Sequence, residues 1–470
     1  MRVFWIFCAL CVWGVGIASA APLTFDEALS RMVTENEGLA AMRSAKEVAE
    51  HEREAARGLY YPKVKVTGRW TRIDDPIVMD LSSIKTAMGA MHGIGVPGGT
   101  PTVADTMVFK SLPDFTMEVQ GDTFLKSSLT ATMPLYAGGK IRAVNTVAIS
   151  KVEEASQKER ETLARLTATM VGRYYGVRLA KEVQRVRQHV LEGMETHLHQ
   201  ARQLEKNGMI AKAERLHAEV ARAEADRGLK RARRNVAIAT TALSNLLKFS
   251  PGETPDPVSP LFLSKGIGDL SHFTDAAKRL SPVLGQLKEK ARQAGEGIKV
   301  AKAGHLPSFY LFGKRELRTQ DLTTMEPAWA AGVGVDLPIF EGFSVANKLR
   351  AATSRKAQVV HMEAQVRKDI LTATEKNYHE ALAQLEQYEA LHVSLALAQE
   401  AVRVQSRAFE QGFSTSLDVV DARLTLAGVE IKQLQAVYAF DVALAKLLAV
   451  SGLATTLSDY QSETQVEARF

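Results

Sequence analysis

Between residues 64 and 72 the chain reads VKVTGRWTR, with Val64, Val66 and Trp70 alternating against Lys65, Thr67, Arg69 and Thr71. That period of two predicts a strand over about 64–73 with one apolar and one polar face. LKSSLTATM at 125–133 repeats the pattern and predicts a second strand over about 124–133, with Leu125, Leu129, Ala131 and Met133 on its apolar side. A third, over about 329–337, sets Trp329, Ala331, Val333, Val335 and Leu337 against Ala330, Gly332, Gly334 and Asp336. A fourth, over about 308–314, alternates less cleanly. A half-buried sheet in water and a barrel strand between lipid and a wet lumen give the same pattern, so no strand decides alone.

Elsewhere apolar positions recur at threes and fours. Residues 345–411 run without one Gly or Pro, and Tyr378, Leu382, Leu385, Tyr388, Leu391, Leu395, Ala398 and Val402 mark one helical stripe. A matching run at about 141–207 carries Gly172, Gly176 and Gly193 as internal weak points. At 1.5 Å per residue each such helix is roughly 100 Å long, too long for a compact domain. Shorter helices are predicted from Thr24, where Glu27 completes a capping box, to near Leu59, and over about 209–248 and 413–450. Each return helix, stacked end to end with a first helix, equals one long helix. Antiparallel coiled-coil seams follow.

The sequence also matches itself. MPLYAGGKIRA at 133–143 aligns with LPIFEGFSVAN at 337–347, and the same shift pairs Gly208 with Gly412. A second shift aligns the segment around Pro62 with that around Pro307, and Asn36-Glu37-Gly38-Leu39 with Ser281-Pro282-Val283-Leu284. The difference between the shifts is an insertion in the first copy, a loop over about 81–116. The organisation read from this is a first repeat over 21–250, a Pro-rich linker over 251–270 (Pro251, Pro255, Pro257, Pro260), a second repeat over 271–453 and a tail over 454–470. Each repeat runs helix, strand, strand, long helix, return helix. Pro62, Pro134, Pro307 and Pro338 fall at the strand–helix junctions, where a ladder ends.

Composition then narrows the class. Hydrophobic residues at 46% and charged residues at 24% exclude wholesale disorder. A net charge of +6 over 470 residues gives no argument for nucleic acid. Residues 1–20 read as a secretion signal: Arg2, an apolar run over 3–17, and Ala18-Ser19-Ala20 before the cut. Cys8 and Cys11 both lie inside it, so their spacing carries no redox or zinc chemistry. No later stretch has eighteen consecutive apolar residues, and no membrane-spanning helix is predicted. Four strands cannot close a barrel, and open edges cannot sit in lipid. Three copies would give twelve strands around a watery lumen, continued by three sets of helical hairpins.

LTFDEALSRMVTENEGL, LYYP, MPLYAGG, LPIFEGF and FEQGFSTSLDVVDARLTL at 409–426 resemble the TolC-type outer-membrane efflux proteins, and the resemblance covers essentially the whole chain beyond the leader. It implies a mainly α fold with a small β part. As a homotrimer this forms a twelve-stranded outer-membrane barrel continued by a long coiled-coil tunnel in the periplasm of a Gram-negative bacterium. The implied role is the exit duct of a tripartite efflux or type I secretion system, with a periplasmic adaptor, an inner-membrane pump and outer-membrane lipid as partners. Gly208 and Gly412 then turn the chain at the periplasmic tip. Met209, Ile210 and Phe413 are apolar there and serve either adaptor docking or packing between hairpins. By the same resemblance Asp418 and Asp421, three apart on one helix face, converge as a cation-selective ring near the closed end, with Glu214 as the first-copy acid. The bland alternative is a solvated face paired with Arg423 or Arg407. Phe409 stands where some relatives have a tyrosine hydroxyl, and Ser414 where they have an arginine, which leaves the closing latch open.

Other leads carry less. Met79, Met88, Met91, Met107, Met117 and His92 raise soft-metal capture, but an apolar loop outside the cell, covering the pore mouth or neighbouring lipid, is the favoured reading. His197 and His199 point to different sides of a helix, and LKRARRN at 229–235 reads as a solvated face. No hydrolase, zinc-protease or phosphate-loop motif occurs, and neither an enzyme nor a cofactor is predicted. The competing reading is a structural coiled-coil protein of the cell surface or periplasm.

Overall fold

The computed structural model describes residues 21–84, 87, 116–250, 253–264, 266–323 and 325–462. The predicted leader, most of the 81–116 loop with Met88, Met91, His92 and Met107, and Pro251 lie outside the described residues. In chain order, β1 (Ala21–Leu23), α1 (Phe25–Glu35) and α2 (Glu37–Arg57) lead into β2 (Lys63–Arg72), β3 (Ile77–Asp80), β4 (Thr116–Gln120) and β5 (Thr123–Ala137). Next come α3 (Lys140–Lys206), α4 (Lys212–Leu246) and β6 (Pro255–Pro257). A second series follows as α5 (Leu270–Leu280), α6 (Pro282–Ala303), β7 (Ser308–Glu316), β8 (Trp329–Asp336), α7 (Ser344–Glu410), α8 (Ser416–Ser451) and α9 (Leu457–Ser462).

The single helix predicted from Thr24 to Leu59 is broken. Asn36 leaves helical geometry at ψ 122° and its Oδ1 accepts the amides of Gly38 and Leu39, so it ends α1 and caps α2. Ser281, the matched residue, breaks the other copy between α5 and α6 at ψ 120°, the conformation that a following Pro282 imposes.

The chain divides into two compact units. One comprises His51–Ile149 and Gln293–Lys356 and holds an antiparallel sheet of order β2-β5-β7-β8. Its register puts Val64 opposite Ala131, Val66 opposite Leu129 and Trp70 opposite Leu125. Across the other strands it puts Leu311 opposite Val333 and Phe309 opposite Val335. These side chains share one face, and Val64, Val66, Trp70, Trp329, Val333 and Val335 on it are all exposed. The opposite face is polar: the Thr67 and Ser128 hydroxyls lie 2.9 Å apart, and Lys126 reaches Glu326 at 2.6 Å.

The imperfect alternation of β7 has a local cause. Tyr310 and Phe312, on the polar face, cover Gly334 and Gly332 of β8, where a Cβ would collide with their rings. Bare glycine backbone is thus covered by aromatic side chains from the next strand. The ladder does not stop at Pro134. β5 continues to Ala137, with Pro134 opposite Tyr310 and a bulge before Tyr136, so this proline sits within the strand at an irregularity that tolerates its missing N–H. Pro62 and Pro307 do precede β2 and β7, and Pro338 follows β8. β3 and β4 form a separate hairpin that the alternation of the sequence leaves unmarked. Within this sheet β2 and β8 are paired on one side only.

The other unit comprises the chain up to Glu50, Ser150–Arg292 and Ala357 onward. Its core joins Phe25 and Met32 of α1, Met170, Tyr174 and Tyr175 of α3, Leu243 of α4 and Phe440, Leu444 and Leu448 of α8. Tyr174 packs edge-on to Phe25 at 5.4 Å, donates to the Leu23 carbonyl at 2.6 Å and accepts the Ser259 amide at 3.0 Å. The segment 251–270 is more than a linker, since Pro255–Pro257 pairs in parallel with β1 and Leu261, Phe262 and Leu263 are buried. By length and composition α8 is apolar enough to cross a membrane, but most of that stretch is buried inside this unit as a core helix. Asp441 on α8 is fully buried, and burial, opposed only by the nearby Phe262 backbone amide, pushes its carboxyl well above the usual range. It is therefore held as the neutral acid.

Candidate functional site at the helical turns

Both long helices end in the same backbone device. Gly208 sits at φ 71° and Gly412 at φ 78°, the left-handed region where a Cβ is strained. The Gly208 amide donates to Glu205 at 2.9 Å and the Met209 amide to Leu204 at 2.8 Å. At the other turn, Gly412 donates to Phe409 at 3.0 Å and Phe413 to Ala408 at 2.8 Å. These paired bonds satisfy carbonyls that a helix end otherwise leaves bare.

The apolar residues of the turns have two fates. Met209 is 56% exposed and Phe413 84% exposed. Ile210 turns inward against a small core of Leu198, Ala201, Ala218, Phe409 and Val419. Phe409 is itself buried, its ring 4.6 Å from that of His197, so it packs between hairpins. Ser414 Oγ lies 2.8 Å from Gln405 Oε1 and 3.1 Å from Asp418 Oδ2.

The acids also differ. Asp418 closes a capping box on α8: its carboxylate accepts the Thr415 amide at 2.9 Å, and Thr415 Oγ1 accepts the Asp418 amide at 3.2 Å. Hydrogen bonds from the Thr415 side chain and backbone, then from Ser414, hold the Asp418 carboxyl below its usual range. Asp421 is exposed, and neither acid pairs with Arg407 or Arg423. Glu214 does something else. Ala211, at the start of α4, has no side chain to cap that helix, and Glu214 instead accepts the Ser416 amide at 2.7 Å. It therefore satisfies the first amide of α8, on the other hairpin.

Ser416 joins the hairpins a second time. Its buried hydroxyl lies 2.7 Å from His197 Nε2. Burial first, then the charge of Arg423, pushes the His197 imidazole down to about 4. The Arg423 side chain lies across Gly193, where a Cβ would collide with it, and burial lowers its own affinity for the proton. Sequence reasoning set His197 aside, took Arg423 only as a partner for the acids, and missed Ser416. Thr415-x-x-Asp418 carries the same capping spacing as Thr24-x-x-Glu27 and was legible. Among the described residues, no three His, Cys, Asp or Glu side chains gather as metal ligands.

A four-stranded antiparallel sheet with one exposed apolar face, together with two helical hairpins built on 67-residue helices, makes this a mainly α chain with a small β part. The sequence profile described as outer membrane efflux protein matches residues 28–247 and 274–453, and the chain belongs to that family. Solved structures share the fold. CusC, described for conformational changes accompanying folding and transmembrane channel formation, superposes with a TM-score of 0.72 at 15% identity, covering 91% of this chain and 92% of that one. VceC of Vibrio cholerae gives 0.70 at 14%, covering 91% and 96%. The open MtrE outer membrane channel of Neisseria gonorrhoeae gives 0.68 at 18%, covering 92% and 89%. At these identities the likeness is one of fold. No curated protein matches the chain by sequence.

Proposed function

We propose that this outer-membrane efflux protein is the exit duct of a tripartite efflux or type I secretion system. It passively conducts substrates that an inner-membrane pump and a periplasmic adaptor hand on. The observation that carries this reading is the sheet with an exposed apolar face, a polar face and open edges at β2 and β8. Each bare backbone group in hydrocarbon costs several kcal/mol, so such edges are stable in lipid only when paired. Three copies, β2 of each against β8 of the next, close a twelve-stranded barrel with a wet lumen. The two repeats, 21–250 and 271–453, then contribute matched hairpins to a periplasmic tunnel.

In this reading the turns at Gly208 and Gly412 form the periplasmic tip, and Met209 and Phe413 offer it an apolar surface for the adaptor. Asp418 and Asp421 of three chains line the entrance as a cation-favouring ring. The Glu214–Ser416 and His197–Ser416 bonds hold the hairpins together in the closed state, and opening moves them apart. Complementation tests the role: in a strain lacking its own exit duct, this chain with a suitable adaptor and pump restores drug resistance or protein export. An inserted trimer that never restores either would overturn it.

A further inference from the structure

On the polar face of the sheet, two cations have an acid of their own and three have none. Lys126 of β5 holds both Glu326 oxygens, at 2.6 and 2.8 Å, and Lys314 of β7 lies 2.6 Å from Glu316. β2 carries Lys63, Lys65 and Arg69 on the same face, all exposed, spread over about 20 Å of strand. None of these three makes an ion pair among the described residues. Arg69 stands directly opposite Lys126 in the ladder, where like charges repel. β8, the strand that barrel closure sets against β2, brings only Ala330, Gly332, Gly334 and Asp336 to that face, one acid against three cations. Aromatic rings complete the lining. Thr132, opposite Lys63, is in turn opposite Phe312, so two strand spacings, roughly 10 Å, separate that cation from an exposed ring. The Tyr310 ring lies 6.4 Å from that of Phe312 on the same face.

We propose that the barrel segment of the duct is an anion-selecting zone that favours organic anions. Lys63, Lys65 and Arg69 attract their carboxylate, sulfonate or phosphate groups, and Phe312 and Tyr310 meet their rings. This rests on the barrel reading above, in which the polar face lines the lumen. Threefold repetition arranges the free cations of β2 around an aqueous passage whose protein and lipid walls have a low dielectric, so their field is focused into the lumen. On an open surface the same charges would be screened within about 8 Å at physiological salt. The sign is opposite to that of the acids at the helical turns, so a cation-favouring entrance and an anion-favouring exit are separate properties of one duct.

The only cysteines of the chain lie within the first twenty residues, so a single thiol reports on its own surroundings. Thr67→Cys falls between Lys65 and Arg69 on the polar face, and Val66→Cys on the apolar one. In the native assembly in its membrane, the thiol at position 67 is expected to prefer an anionic sulfonatoethyl thiosulfonate over its cationic trimethylammonium analogue. The ratio of the two rates should exceed that of a free thiol in solution several-fold. Lys63→Gln, Lys65→Gln and Arg69→Gln together should return it to the free-thiol value. A free-thiol ratio in the otherwise native chain, or a ratio unmoved by the triple substitution, overturns the anion zone. A thiol at position 67 no more reactive toward either reagent than one at position 66 instead overturns the barrel reading, so the two failures are distinguishable. In bilayer recordings, naphthalenetrisulfonate added on the barrel side is expected to block the current. The half-blocking concentration should rise about tenfold or more with the triple substitution and several-fold with Phe312→Leu. An unchanged value in the triple variant removes the charge site, and an unchanged value in Phe312→Leu removes the aromatic contact.

Discussion

The two hairpin turns share a backbone and differ in their side chains. At Gly208 and Gly412 the left-handed residue and both reversed hydrogen bonds are the same. Three residues on, they part. Thr415 and Asp418 cap their own helix reciprocally, whereas Ala211 caps nothing and Glu214, in the position of Asp418, reaches across to Ser416. Only glycine fits the turn without strain, so that position has no room to diverge. A cap is worth about 1 kcal/mol and can be given up, and the acid released from capping becomes a link between hairpins. One turn is thus self-contained and the other is the source of the connection.

Breaking the shared part should have the largest effect. Proline cannot adopt φ 78° and removes the amide that Gly412 donates to Phe409, so Gly412→Pro should cost about 3 kcal/mol or more and abolish export, read by drug susceptibility and trimer yield. Normal export by a correctly inserted trimer would refute the role of that turn.

Protonation attacks the link itself. His197 has its folded-state affinity lowered to about 4 against an ordinary 6.5, so the unfolded or opened form binds the proton better. Stability of the closed turns is therefore full above about 6.5 and falls as pH drops toward 4, by on the order of 3 kcal/mol at the limit. Hydrogen exchange around Ser416 should accelerate through that window in the native protein. It should lose this slope in His197→Gln, and an identical slope would contradict the assignment.

Glu214→Ala should cost about 1–3 kcal/mol by leaving the Ser416 amide unpaired, and should raise single-channel open time. Ala211→Thr sharpens the comparison. It rebuilds Thr-x-x-Glu spacing at the start of α4, should draw Glu214 back to its own helix, and should raise open time without destabilising the fold. The acids give the smallest differences. Asp418→Ala should lose about 1 kcal/mol of capping, while Asp421→Ala should stay within about 0.5 kcal/mol, measured by thermal unfolding. Both together should reduce cation selectivity and block by multivalent cations in bilayer recordings.

Much of the fold was legible in the sequence. The long helices were visible because Gly and Pro are absent from 345–411, and the strands because Val64, Val66 and Trp70 keep a strict period of two. The break at Asn36 was hidden, since Asn reads as a weak helix residue until its side chain is seen capping the next helix. Its partner break at Ser281 was signalled by Pro282. Pro134 misled because a bulge lets a strand pass through a proline. The site was half legible. Gly208, Gly412 and the Asp418 cap follow from local rules, but the Glu214–Ser416 bond spans 202 positions and depends on how two hairpins pack. Arg423 against Gly193 is likewise a contact between helices, with no mark in either segment alone.

The duct reading turns on whether β2 and β8 find their partners in sister chains. Cysteines at Thr67 of β2 and Ala330 of β8, scanned with their neighbours for the facing register, would be oxidised in native outer membranes and the products sized on a denaturing gel. Closure by three copies predicts a covalent ladder ending at the trimer, formed only when both strands carry a thiol. Cross-links confined to one chain, or none at any register with an intact inserted protein, would contradict it.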